Sequence, residues 1–211
     1  MDEDLAEFVG FFIGDGCLSK SRSTGVLLLT GAAKRQSEEY FLHLNKILME
    51  NFNGCGNVYH RRDSDVFLLR VYNKKILGFF LKLGYSYGPK SNTVFIPEEI
   101  IRERRLSTAC LRGIFNSDGS IYRRYSKAYG KHKRHYKDYF NVQFKSNSKT
   151  LVEQIKSILE REEIFTNKII VDNKAFVLRI TSQKMVGKFL DTININHPYH
   201  IERIKSGPRG I

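Results

Sequence analysis

The chain has 211 residues and carries 35 Lys and Arg against 22 Asp and Glu, a formal net charge of +13. Its 41% hydrophobic content supports one large domain or two small ones and excludes global disorder, while the cation excess favours a polyanionic partner, most often nucleic acid, over a basic protein that binds nothing. No apolar run approaches the ~20 residues of a membrane span, and the acidic start MDEDLAEF has no signal-peptide layout, so an intracellular, non-secreted protein is expected.

Cys17, Cys55 and Cys110 are widely spaced and read as buried or incidental thiols, not as a zinc site or disulfide framework. His132 and His135 lie in a Lys-rich segment without cysteine partners, which suits a solvated loop better than metal ligation.

In chain order, helical spacing predicts a helix near 4–15, strands near 17–22 and 26–31, a helix near 37–50, strands near 56–62 and 65–72, and a helix near 74–83. The same series follows near 107–118, 120–125, 139–145, 148–161, 167–172, 175–181 and 183–193. The fold class is therefore α+β, with two pseudo-symmetric αββαββα repeats, 1–98 and 99–211, joined around SNTVFIPEEIIRERR. Four strands per copy make two antiparallel sheets about a pseudo-twofold axis.

The first helix holds the stretch FVGFFIGDG. Leu5, Phe8, Val9 and Phe12 form an apolar face, while Ala6, Gly10 and Gly14 recur every four residues on another. An interior helical glycine costs roughly 0.5–1 kcal/mol relative to Ala. ACLRGIFNSDG repeats the pattern 103 residues later, with Ala109, Gly113 and Ser117 as the small stripe and Asp118-Gly119 matching Asp15-Gly16. Matching stripes predict that the two helices pack on one another through them. Farther on, FLLRVYNKKILGFFLKLGYSYGP matches FVLRITSQKMVGKFLDTININHP at 8 of 23 positions with an offset of 109. The growth from 103 to 109 implies six extra residues in the second copy, expected within the basic stretch 122–138.

An aspartate at a helix C-terminus opposes the helix dipole. Paired helices also bring Asp15 and Asp118 together, so their like charges repel. A divalent cation resolves both conflicts: two carboxylates plus the Gly14 and Ser117 carbonyls form a hard oxygen site suited to Mg²⁺. A cation there can activate water and stabilise charge on phosphorus, which points to phosphodiester hydrolysis. One Asp-Gly alone would read as a turn; two placed identically favour the metal site. GFFIGDG also resembles a nucleotide-binding glycine loop, but here the glycines lie within and at the end of a helix, and no P-loop lysine follows.

These two helices resemble the signature pair of the LAGLIDADG homing endonucleases in their monomeric, two-motif form. The resemblance spans essentially the whole chain. Ile13 and Asn116 stand where the name-giving motif has its first aspartate, and Ser117 replaces its alanine. The resemblance implies a saddle of two sheets in the DNA major groove, with the LAGLIDADG helices paired at its centre. It implies site-specific cleavage of double-stranded DNA at a long asymmetric target, leaving 3′ overhangs. Two or three Mg²⁺ ions would be shared by Asp15 and Asp118, with Mn²⁺ able to substitute. A ring of polar and basic groups is also implied around the scissile phosphates: Lys145 in the second copy, and Lys34 and Gln36 in the first. Met1 and the final SGPRGI lack splice-junction residues, so a free-standing, intron-encoded monomer is expected.

Strand alternation places candidate DNA-binding side chains on the face away from the helices. These are Lys20 and Arg22; Asn57, Tyr59 and Arg61; Arg70 and Tyr72; Gln143 and Lys145; Arg179 and Thr181. The most basic segment, 122–139, adds Arg123, Arg124, Lys127, Lys131, Lys133, Arg134 and Lys137 as candidate phosphate contacts on a long hairpin tip. An RNA-binding intron maturase and a non-cleaving DNA-binding regulator are the alternatives on the same scaffold.

Overall fold

The structure is a computed structural model, and it describes residues 1–21, 24–34, 37–123 and 139–205. Helix α1 (Glu3–Asp15) leads into strands β1 (Gly16–Ser21) and β2 (Thr24–Ala32). Helix α2 (Glu38–Phe52), strands β3 (Asn57–Arg61) and β4 (Val66–Val71), and helix α3 (Lys74–Lys82) complete the first repeat. A short helix, α4 (Glu98–Arg102), precedes α5 (Arg104–Asp118), which opens the second. There follow β5 (Ser120–Arg123), β6 (Phe140–Ser146), α6 (Lys149–Arg161), β7 (Ile170–Asp172), β8 (Ala175–Ile180), α7 (Gln183–Ile193) and α8 (Pro198–Lys205).

Side-chain caps explain several helix starts. Asp2 accepts from the Leu5 amide at 2.8 Å, Ser37 from Tyr40 at 3.2 Å and Ser148 from Leu151 at 3.2 Å. The two sheets have the orders β1-β2-β4-β3 and β5-β6-β8-β7, antiparallel throughout. One face of each packs on helices, burying Leu18, Leu27, Leu29, Leu69 and Val71 in the first and Ile121, Val142, Phe144, Leu178 and Ile180 in the second.

Helices α4 and α8 are absent from the sequence expectation. Each is short, eight residues or fewer, and too brief for a clear apolar period. The stretch near 167–172 yields only the three-residue β7.

The two repeats correspond closely, but their lengths diverge in three places rather than one. From the strand registers, Leu28 corresponds to Gln143, so the β5–β6 connection is twelve residues longer than β1–β2. The second copy is then four residues shorter before its long helix, whose cap is Ser148 against Ser37. It is two shorter again in the β7–β8 turn.

Helices α1 and α5 pack back to back through the small stripes. A Cβ on Gly10 would overlap the Cys110 carbonyl oxygen, and one on Gly113 would overlap that of Glu7. Only backbones without side chains reach this separation, which is the reason for the glycines.

One flank of this interface is polar. Glu7, 1% exposed, pairs with Arg112 at 2.7 Å and accepts from the Tyr40 hydroxyl at 2.8 Å and from Asn196 at 3.1 Å. Asn116 donates to the Tyr40 oxygen and to the Asn196 side-chain oxygen, both at 2.8 Å. Burial, with Glu7 second, pushes the Tyr40 phenol well above its ordinary range.

Candidate metal centre and nucleic-acid interface

The paired helices end side by side, each on an aspartate followed by glycine. A Cβ on Gly14 would lie 3.1 Å from Asp118 Oδ2, so the second carboxylate rests against the last turn of the first helix. Asp118, Gly14, Gly16, Cys17, Lys90 and Lys145 line one cleft of roughly 400 Å³.

Lys90 was not expected from sequence. Its ammonium donates to the Ile13 carbonyl and, at 3.1 Å, to that of Gly14. Burial pulls the Lys90 pKa below the usual lysine range, while Asp118 and then Asp15 push it back up. Both carboxylates therefore act on one cation held at the end of α1. Burial raises the Cys17 thiol, with Lys90 opposing, which keeps it protonated and unsuited as a thiolate ligand.

The donor set fits a hard divalent ion. Two carboxylates meet main-chain carbonyls at helix ends, and a protein cation already occupies part of that field. Gly14 shares its carbonyl with Lys90. Ser117 turns its hydroxyl back to the Gly113 and Ile114 carbonyls, at 3.1 and 3.0 Å, so its contribution to a metal would come from its main chain. No cluster of three His, Cys, Asp or Glu side chains occurs among the described residues.

Of the remaining candidates, Lys145 lines the cleft and pairs with Asp172 at 3.0 Å. Its counterpart in the first sheet, by strand register, is Thr30. Lys34, expected for that place, lies beyond the end of β2 in an exposed turn. Gln36 falls outside the described residues, as do Arg22, Arg124, Lys127, Lys131, Lys133, Arg134 and Lys137.

On the helix-free faces, alternation places Asn57, Tyr59, Arg61 and Arg70 in the first repeat and Gln143, Lys145 and Arg179 in the second. Arg70 lies over the Tyr59 ring at 5.3 Å, and Arg179 Nε donates to Gln143 Oε1 at 2.8 Å. Tyr72 is exposed just past β4, and Thr181 just past β8 donates to Asn167 at 3.1 Å. Two residues sit on the other face. Lys20 shares the parity of buried Leu18 and lies over Tyr87, and Arg123 shares that of Ile121 and lies over Phe140. The two-residue spacing from Leu18 to Lys20 and from Ile121 to Arg123 carried that signal in the sequence.

Paired glycine-stripe helices ending in two aspartates, flanked by two four-stranded sheets, define the LAGLIDADG architecture. Residues 105–194 match the family model described as a LAGLIDADG-like domain. The chain has the LAGLIDADG fold with two four-stranded units in one polypeptide, and its second unit is the part that matches the family model.

Its fold is that of the homing endonuclease I-DmoI. Mesophilic variants of that enzyme align with a TM-score of 0.67 at 20% identity, over 92% of this chain and 97% of theirs. I-DmoI in complex with DNA and Mn gives 0.65 at 20% identity, covering 92% and 98%. Full-length DUF199/WhiA from Thermatoga maritima also shares the fold, with a TM-score of 0.59 at 16% identity over 96% of this chain and 59% of that one.

By sequence, 120 residues are 34% identical to the replication factor C small subunit of Methanocaldococcus jannaschii, and 120 are 31% identical to a component of the A-type ATP synthase of Pyrococcus abyssi. These matches take in 57% and 56% of this chain but only 6% and 11% of the relatives' lengths.

Proposed function

We propose that the protein is a site-specific DNA endonuclease of the homing type, cutting both strands of a long asymmetric target with Mg²⁺ and leaving 3′ overhangs. The observation that carries this reading is that Asp15 and Asp118 close adjoining helices, with Lys90 bonded to the last turn of the first and both carboxylates acting on its charge. The likeness to I-DmoI in complex with DNA supports it.

Asp15 and Asp118, with the Gly14 and Ser117 carbonyls, would hold the divalent ions. Bound there, such ions supply Lewis acidity toward phosphate and lower the pKa of water. The chain's own groups set the geometry. Arg70, Arg179 and their neighbours fix the duplex across the faces, which holds each scissile phosphate over the cleft. Lys90, charged beside two carboxylates, is positioned to stabilise negative charge developing on a phosphate oxygen. An intron-encoded enzyme acting as a monomer is the form we infer, with an intracellular location.

The test is incubation of the full chain with Mg²⁺ and the DNA that flanks its gene's insertion point, joined without the intron. Cutting at one position, abolished by Asp118→Asn and by Asp15→Asn, is expected. An intact duplex, or cutting that survives both substitutions, overturns the reading. Assistance to intron splicing that survives both would instead identify a maturase.

A further inference from the structure

The two sheets carry mirror-related arginines with different neighbours. Arg70 and Arg179 occupy equivalent positions on β4 and β8. Across the register, Arg70 faces Leu28 while Arg179 faces Gln143. Leu28 lies between two core residues, Leu27 and Leu29, so it points to the helix-free face, where it is partly exposed beside Cys17. This spot is a thiol and methyls in the first half; in the second, Ser120 and Gln143 take their places.

We propose that these two positions read their mirror-related base pairs by different chemistry, Leu28 selecting thymine and the Gln143–Arg179 pair selecting guanine. This assignment rests on the DNA-recognition reading above and specifies its substrate. An arginine Nε can only donate, so the Gln143 atom it meets at 2.8 Å is the amide oxygen. With that oxygen engaged by Arg179, the Gln143 amide N–H groups are what the side chain has left to offer a base. The pair therefore presents donors alone, toward guanine N7 and O6. Adenine requires the glutamine oxygen as well as its nitrogen and is disfavoured.

Leu28 offers neither donor nor acceptor. An apolar side chain at a major-groove edge favours the thymine methyl and leaves the cytosine amino group without a partner. On its β2 side Arg70 meets Leu28 and no amide; Asn57 of β3 faces it from the other side, and its guanidinium lies over Tyr59. The target is thus asymmetric at this step even though the two backbones are related by pseudo-symmetry.

The test is selection from a duplex library with a randomised window, using the full chain without added divalent cation and sequencing the bound fraction. A two-armed consensus is expected with thymine at one mirror step and guanine at the other. Leu28→Gln should move the thymine preference to guanine by about tenfold, because it sets a glutamine opposite Arg70 on β2 as Gln143 stands opposite Arg179 on β6. Gln143→Leu should move guanine toward thymine in the other arm only, and it stands as the second variant should Leu28→Gln fold poorly.

A consensus with the same base at both mirror steps, or one that neither substitution changes, overturns this assignment while leaving DNA recognition intact. Selection with no enriched sequence overturns the recognition reading itself and this assignment with it.

Discussion

Gly10 of α1 lies against the carbonyl oxygen of Cys110 in α5, with no room between them for a methyl group. Gly113 meets Glu7 in the same way from the other side. Gly10→Ala and Gly113→Ala should each destabilise the protein by about 3 kcal/mol, because backbone rather than a flexible side chain must shift. Gly78 lies inside α3 with open space at its Cβ position. Gly78→Ala should stabilise by about 0.5–1 kcal/mol. Urea unfolding of the three variants checks this, and equal effects at Gly10 and Gly78 would contradict the close helix contact.

The ion pair of Glu7 and Arg112 is almost fully withdrawn from water. Arg112→Met leaves a carboxylate at 1% exposure without its cation and should cost about 3–5 kcal/mol. Adding Glu7→Gln to that variant should recover part of the loss, since Tyr40 and Asn196 still bond the side chain. A double-mutant cycle by chemical unfolding measures the coupling, and additive losses would show the pair to be energetically independent.

Lys90 holds a positive charge against the carbonyls where a divalent ion is expected. Lys90→Met should strengthen Mn²⁺ binding by about tenfold, because it removes the cation's repulsion. The same change should slow cleavage by about a hundredfold through loss of charge stabilisation at the phosphate. Titration calorimetry and single-turnover cleavage read the two effects separately. Tighter metal with undiminished cutting would remove Lys90 from the chemistry.

His197 is fully buried, and its Nδ1 accepts the Tyr199 amide at 3.2 Å. Burial lowers its pKa from 6.5 to about 4, with Glu7 opposing. Below pH 6.5 the unfolded chain takes up a proton that the folded protein refuses until about pH 4. The stability this group contributes is therefore complete above pH 6.5 and declines by about 3 kcal/mol as pH falls to 4. His197→Asn should flatten that part of the stability profile, and an unchanged slope between pH 4 and 6.5 would assign it to other groups.

The helix pair was legible because its cause is local: small residues every four positions, twice, each series closing on Asp-Gly. Lys90 was not legible. It reaches the site from a loop 76 residues after Gly14, and no periodicity marks a residue whose only distinction is where the chain brings it. Lys34 and Gln36, expected as counterparts of Lys145, lie past the position that the strand register pairs with it. Register, which makes that position Thr30, depends on hairpin lengths that sequence spacing averages over. Lys20 shows the pull of composition: a basic residue in a strand suggests an outward role, yet period-two counting from Leu18 puts it on the helix side, and Arg123, expected on the hairpin tip, closes β5 on the side of Ile121.

The polar flank of the helix pair has no mirror image. Under the 103-residue relation, Glu7 corresponds to Cys110, Arg112 to Val9 and Asn116 to Ile13. A first half meeting its own duplicate would press each acid against valine and isoleucine instead of arginine and asparagine. The chain has thus acquired a left and a right hand: recombination can graft a foreign second half onto this first one only when the incoming helix brings a cation to the seat opposite Glu7.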